Sequence, residues 1–185
     1  EISTDYFPYL NKNNLRKYIV KRNIKGINVN LLRPEPEIAI LLMHNVFPER
    51  TFQLEHFYLT LYYFKNNFDL DVFVDFVKKN KLAPAIKSNL SLISYIHKKH
   101  FNFIPEPLIE VNKRLNTKST EVNRFILRGE NTPYMFSPKL FWTTFIWKLT
   151  EIYSFKGFCI QLFKMLNPIF FIDVVRSVIN RFSKE

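Results

Sequence analysis

The stretch from Gly26 to Phe47, GINVNLLRPEPEIAILLMHNVF, changes its hydrophobic period without a gap. From Ile27 to Leu32 apolar and polar residues nearly alternate, as in a half-buried strand. From Glu35 onward the apolar positions Ile38, Leu41, Leu42 and Val46 share one helical face. A strand is therefore expected to run directly into a helix. Pro34 and Pro36 stand where a first helical turn has unpaired donors in any case, and Glu35 and Glu37 face the positive end of the helix dipole. The junction fixes local structure and names no function.

Composition argues that the rest is helical. Only 3 Gly leave little room for the tight turns of an all-β fold, while 47% hydrophobic residues, with 20 Phe and 9 Tyr, are enough for a substantial core. The single Cys159 cannot close an internal disulfide and reads as a reduced interior thiol. Asp5 and Pro8 interrupt any leader-like apolar core at the start. The nearest approach to a membrane span, Gly157 to Phe182, is broken by Gln161, Lys164, Asn167, Asp173 and Arg176. A cytoplasmic protein with no integral membrane segment is expected.

A net charge of +11, from 27 Lys and Arg against 16 Asp and Glu, favours phosphate-rich partners or an anionic surface, although a solvated exterior carries such an excess too. Between Tyr6 and Pro34 the positive run has no acid in it. Lys12, Arg16, Lys17, Lys21, Arg22, Lys25 and Arg33 are accordingly the candidate phosphate or nucleic-acid contacts. Tyr18, among them, either stacks on a base or packs into the core.

Taken in order, Ile2 to Phe7 is expected as a strand, and residues 11–25 as a short amphipathic helix with Leu15, Tyr18 and Ile19 on one face, ending before Gly26. With the strand that follows, residues 1–33 form a β-α-β remnant. Residues 34–115 read as a helical domain. In it Thr51 caps a helix facing Leu54, Phe57, Tyr58, Leu61 and Tyr62 inward, and Asp69 caps one carrying Val72, Phe73, Phe76 and Val77. Pro84 opens a helix with Ile86, Leu90, Ile93 and His97 on one side, and Pro105 and Pro107 open another. Polar residues 116–137, with Gly129, Asn131 and Pro133, are expected as a loop or boundary. Ser137 and Pro138 start a helix to Tyr153 that is apolar nearly all round and hence buried on several sides. Two further helices, from about Lys156 and from Pro168, complete a C-terminal segment 138–185 that packs on the bundle. The fold class expected is mainly α, a bundle of about seven to eight helices with a small two-strand β/α remnant at the N-terminus. The Phe-rich last helices are also a candidate homodimer or membrane-surface face.

Catalytic motifs are missing. His44, His56, His97 and His100 form no H-x-x-x-H or H-E-x-x-H pair, and with one Cys no metal site is expected; His97 and His100 share a face, but Lys98 and Lys99 adjoin them. P-loop, dinucleotide and nucleophile-elbow patterns do not occur. Asp69, Asp71 and Asp75 include the D-x-D spacing that holds magnesium in nucleotidyl-transferring enzymes. Here Asp69 begins a helix, so Asp69 and Asp71 point to different sides and read as a cap with solvated neighbours.

The order of Glu1 to Pro8, Leu15 to Gly26, GINVNLLRPEPEIAILLMHNVF, TFQLEHFYLTLYYF and FDLDVFVDFVKKNKLAPAIKSNLSLISYI resembles the rear part of polymerase-beta-like nucleotidyltransferases, in particular microbial members with a helical C-terminal domain. The resemblance covers about residues 1 to 110 and includes a P-E-x-E…H pattern, here Pro34 to His44. That family's Gly-Ser followed by D-x-D is not in this chain, and its third carboxylate aligns only loosely with Glu1 or Asp5. The resemblance thus implies a rear half without catalytic residues or cofactor, magnesium entering only with a front half; the lack of a starting Met is what a fragment would show. Two functions are expected: the non-catalytic helical portion of a nucleotidyltransferase-like protein, shaping a nucleotide or acceptor pocket, or a stand-alone basic helical module that binds nucleic acid or a protein partner.

Overall fold

A computed structural model describes residues 15–47, 49–66 and 68–149, with the backbone alone at 145 and 147–149. All but the last two belong to one compact unit, Glu1–Trp147. The strand expected at Ile2 to Phe7, Lys12, Cys159 and the two final helices lie outside the described residues.

The fold is mainly helical, as the scarcity of glycine implied. Among the described residues there are seven helices: α1 Pro34–Val46, α2 Leu54–Lys65, α3 Leu70–Lys79, α4 Ala83–Phe101, α5 Glu106–Leu115, α6 Glu121–Leu127 and α7 Pro138–Leu149. Strands β1 Ile19–Ile24 and β2 Ile27–Leu32 form a small antiparallel sheet near the N-terminus, and the two-residue strands β3 Thr51–Phe52 and β4 Tyr134–Met135 pair antiparallel across the unit. No helix among the described residues is long and apolar enough to cross a membrane.

The seam between β2 and α1 forms as its sequence dictates. Arg33 stays extended (φ −62, ψ 150) and Pro34 opens the helix, with Glu35 and Glu37 in the first turn. Ile38, Ala39, Leu42 and Val46 are fully or almost fully buried, and Ile40 and Met43 join them, so α1 is covered nearly all round. The spine of the bundle is α4, which packs against α1, α3, α5 and α6. A buried polar knot sets the register of α1 on α4: Asn89 Nδ2 donates to the carbonyls of Leu42 and Ala85 (both 2.9 Å), and its Oδ1 accepts from Asn45 Nδ2 (3.2 Å). Both ends of the Asn89 amide have partners, so it avoids the penalty of an orphaned polar group in a core.

Helix starts follow local chemistry. Asp69 Oδ1 accepts from the amides of Asp71 and Val72 (3.0 and 3.1 Å), which places Phe73, Val74, Phe76 and Val77 in the core. Ser137 Oγ likewise accepts from Leu140 N at 3.1 Å. Ile86, Leu90, Ile93 and His97 are all buried on α4 as their spacing predicts.

Five expectations are corrected. Residues 19–24 form β1 instead of continuing the expected helix, of which Leu15 and Arg16 alone are helical among the described residues, and 19–32 is a hairpin. Thr51 does not cap α2; it lies in β3, and the cap is Gln53, whose amide donates to His56 Nδ1 at 3.1 Å. The inner face of α2 is His56, Phe57, Thr60 and Phe64, whereas Leu54, Tyr58 and Tyr62 are exposed. The Tyr58 and Tyr62 hydroxyls tolerate water, while His56 Nδ1 and Thr60 Oγ1 find partners inside. Residues 116–137 are not all loop: they hold α6 and β4, with Tyr134 and Phe136 in the core. Finally, Trp142 and Ile146 on α7 are each about half exposed, so that helix is not buried on every side.

Candidate nucleic-acid interface

β1 and β2 are joined by Lys25 and Gly26, both at positive φ (51 and 84). Two left-handed residues make the two-residue hairpin turn whose twist matches the strands, and glycine supplies the second at no steric cost. Asn23 Oδ1 accepts from Gly26 N at 2.9 Å, and Asn23 Nδ2 donates to Asn28 Oδ1 across the ribbon at 3.1 Å. The register pairs Lys21 with Asn30, Arg22 with Val29 and Asn23 with Asn28.

Alternation along the strands divides the ribbon into two unlike faces. Lys21, Asn23, Asn28 and Asn30 share one, between Ile19 and Leu32; Val20, Arg22, Ile24, Ile27, Val29 and Leu31 share the other. Every side chain from Lys21 to Asn28 is exposed, and Ile19, Val20 and Leu32 at the root are half-buried. The hairpin therefore extends from the bundle.

The candidate contacts are partly gathered. Arg16 and Lys17 lie exposed at the root of β1, Lys21 on the asparagine face, Lys25 at the tip, and Arg22 on the opposite, apolar face. Arg33 has a different task. Its Nε and Nη2 donate to the Glu35 carboxylate (3.0 and 3.3 Å), Asp69 Oδ2 lies 3.8 Å away, and Glu35 Oε1 also accepts from Asp69 N at 3.1 Å. The bond to Glu35 raises the Arg33 pKa further. This guanidinium pins the start of α3 to that of α1. Tyr18 packs inward, its ring meeting Phe76 edge-on at 5.2 Å.

A second feature is a cavity of about 210 Å³ at the C-terminal half of α4, with Tyr95, Lys99, His100 and Glu130 among its lining and Leu54, Ile96 and Phe125 as its apolar wall. Tyr95 Oη donates to Glu130 Oε1 at 2.6 Å, and Lys99 Nζ pairs with Glu130 Oε2. Those bonds, first from Lys99 and then from Tyr95, lower the Glu130 pKa, and the Glu130 bond in turn raises those of Lys99 and Tyr95. The carboxylate is occupied by its neighbours, and Thr132 supplies the cavity's aliphatic hydroxyl. No hydrogen bond joins Thr132 to His100 as a nucleophile and its base would be joined. Among the described residues no group of three or more His, Cys, Asp or Glu side chains converges as a metal site.

The third feature is a cluster that the sequence did not announce. Glu121, 2% exposed, accepts from Tyr134 Oη (2.9 Å), Ser137 N (3.1 Å), Ser137 Oγ (2.5 Å) and Arg124 Nη1 (3.4 Å). Burial, then the nearby Glu121 charge, pushes the Tyr134 hydroxyl pKa far up. Apart from Arg124, three residues on, the partners of Glu121 lie 13 and 16 residues away, beyond any local pattern.

No family model, curated protein or solved structure matches the chain.

Proposed function

We propose that this chain is a non-catalytic module that binds nucleic acid through the β1–β2 ribbon. The observation that carries the reading is a projecting two-stranded ribbon with exposed Lys21, Lys25, Arg16 and Lys17 and no carboxylate anywhere along it. A two-stranded ribbon fits the major groove of duplex DNA, lysines and arginines neutralise phosphates, and asparagine amides pair with adenine edges. On the polar face Asn30 stands opposite Lys21 and Asn28 beside it, with Lys25 reaching phosphates at the tip. Binding of a labelled duplex followed by fluorescence anisotropy over a salt series tests it. Affinity falls with salt, and the triple variant Lys17→Gln/Lys21→Gln/Lys25→Gln lowers the log–log slope by roughly 0.9 for each phosphate contact removed. A salt-independent affinity, or a slope unchanged by the triple variant, refutes the reading.

A second reading keeps the chain as the helical portion of a nucleotidyltransferase-like protein, with the cavity beside Lys99 and His100 as its nucleotide- or acceptor-facing element. Support for it is weaker, because about 210 Å³ is below the roughly 300–1,000 Å³ usual for small-molecule pockets and the cavity's carboxylate is already paired. ATP shifting the amide resonances of Tyr95, Lys99 and His100 in a saturable way would favour it over the ribbon; no shift there removes it.

A further inference from the structure

We infer that the apolar face of the β1–β2 ribbon docks on an anionic lipid surface. The register of the two strands builds that face, setting Val20 opposite Leu31, Arg22 opposite Val29 and Ile24 opposite Ile27. Directly opposed residues of an antiparallel pair stand side by side on one surface, so the two isoleucines form a single apolar edge just behind the turn. Water reaches that edge: Ile27 is 67% exposed, Ile24 48% and Leu31 38%, while Val20 and Val29 are half-buried. Scattered single hydrophobes need no explanation, but these are contiguous and sit on an element that extends from the bundle. The nucleic-acid reading uses the opposite, asparagine face and leaves this one wet. The lipid inference does not depend on it.

Charge decides what covers the face. Lys25 stands in the turn between the two isoleucines, Arg22 in the middle of the face, and Arg16, Lys17 and Lys21 behind them. No described carboxylate forms an ion pair with any of the five. A second copy packed face to face would close two Arg22 and two Lys25 side chains into one seam that contains no acid, which like-charge repulsion disfavours. The aliphatic side chains of the face also fall well short of the about 800 Å² per partner of a stable interface. A lipid surface meets both conditions. Its anionic headgroups supply the missing negative charge, it requires no matched shape, and a small apolar area held below cations suffices for reversible attachment. Arg22 and Lys25 are long enough to keep their charged ends among the headgroups while their stems lie with the isoleucines. Asn23 Oδ1 already takes the Gly26 amide at 2.9 Å, so the turn enters the headgroup layer with that donor satisfied.

The test is co-sedimentation of the full chain with vesicles of phosphatidylcholine alone and of phosphatidylcholine carrying about 30% phosphatidylserine, at low salt. The chain is expected to partition onto the anionic vesicles and not onto the neutral ones. The double variant Ile24→Asn/Ile27→Asn should lower the partition coefficient about tenfold or more, and Lys25→Gln about fivefold. Both changes fall on exposed residues, and an unaltered amide spectrum certifies the fold. In anionic bicelles doped with nitroxide lipid, the ¹⁵N amide signals of residues 24–27 should be attenuated before those of α4. No partition onto anionic vesicles, equal partition onto neutral ones, an unchanged partition in the isoleucine variant, or attenuation that spares residues 24–27 overturns the inference. So do two outcomes that assign the face elsewhere: a dimer in sedimentation velocity that the isoleucine variant returns to monomer, or a loss of duplex affinity in that variant. The isoleucine variant is expected to keep the duplex affinity and its salt slope, so the lipid inference and the nucleic-acid reading fail separately.

Discussion

Replacing Glu121 by Ala removes the one acceptor that holds the α6–β4–α7 corner together. The Ser137 amide and the Tyr134 hydroxyl, both on buried residues, lose their 3.1 and 2.9 Å bonds, although Tyr134 keeps a longer contact of 3.3 Å to the Glu121 carbonyl. Each buried donor left unpaired costs about 1–3 kcal/mol, whereas the Ser137 hydroxyl rotates and the half-buried Arg124 regains water at little cost. The sum is about 3 kcal/mol, in the range of a broken buried polar network. Glu121→Gln retains one carbonyl oxygen and is expected to lose about half as much. Urea unfolding reads both as a lower midpoint at unchanged slope. In a double-mutant cycle with Tyr134→Phe the two losses should not add, since the second removes a donor the first has orphaned. An Ala variant within about 1 kcal/mol of the parent would refute the network as the basis of this corner.

Three other perturbations follow from the same structure. Asp69→Ala removes the cap of α3 and is expected to cost about 1 kcal/mol, a fall of roughly 2–4 °C in the calorimetric Tm. His56 has its pKa lowered chiefly by burial, and its Nδ1 must be unprotonated to accept from Gln53 N. Its stabilising contribution is therefore complete above the unfolded pKa of about 6.5 and is lost as pH falls below it, so the urea midpoint should drop as pH is lowered from about 6.5, less steeply in His56→Gln. Tyr63 is pushed up to about 12, first by burial and then by Glu37. Its contribution is whole below the unfolded pKa of about 10 and declines as pH rises from there toward the folded value; absorbance at 295 nm should show this late ionisation, and Tyr63→Phe should remove it.

The parts of the fold legible in sequence are those decided by neighbours within one turn. Pro34 with Glu35 and Glu37, Asp69 with the amides of Asp71 and Val72, and Ser137 with Leu140 N each set a helix start through contacts no more than three residues apart. The hairpin was hidden because Leu15, Tyr18 and Ile19 fit a helical spacing and Gly26 fits a helix end as well as it fits a turn. The discriminating signal was Lys-Gly between two apolar-polar runs, with an asparagine on either side. On α2 the hydrophobic pattern pointed to Tyr58 and Tyr62, but burial went to His56 and Thr60, whose polar atoms are satisfied at Gln53 N and at the His56 carbonyl. Glu121 could not be found from spacing at all, since an acid in a polar stretch looks solvated until the distant Tyr134 and Ser137 are folded against it. Of the candidate contacts, Arg33 shows the same limit: only the fold reveals that Glu35 and Asp69 engage it.

The ribbon's role is tested most directly by mapping ¹⁵N amide shifts while a short DNA duplex is added at low salt. The account predicts saturable shifts concentrated between Arg16 and Asn30, strongest at Lys21, Asn23, Lys25 and Asn28, that collapse as salt is raised. Saturable shifts confined to the helices, with residues 19–32 unmoved, would contradict it.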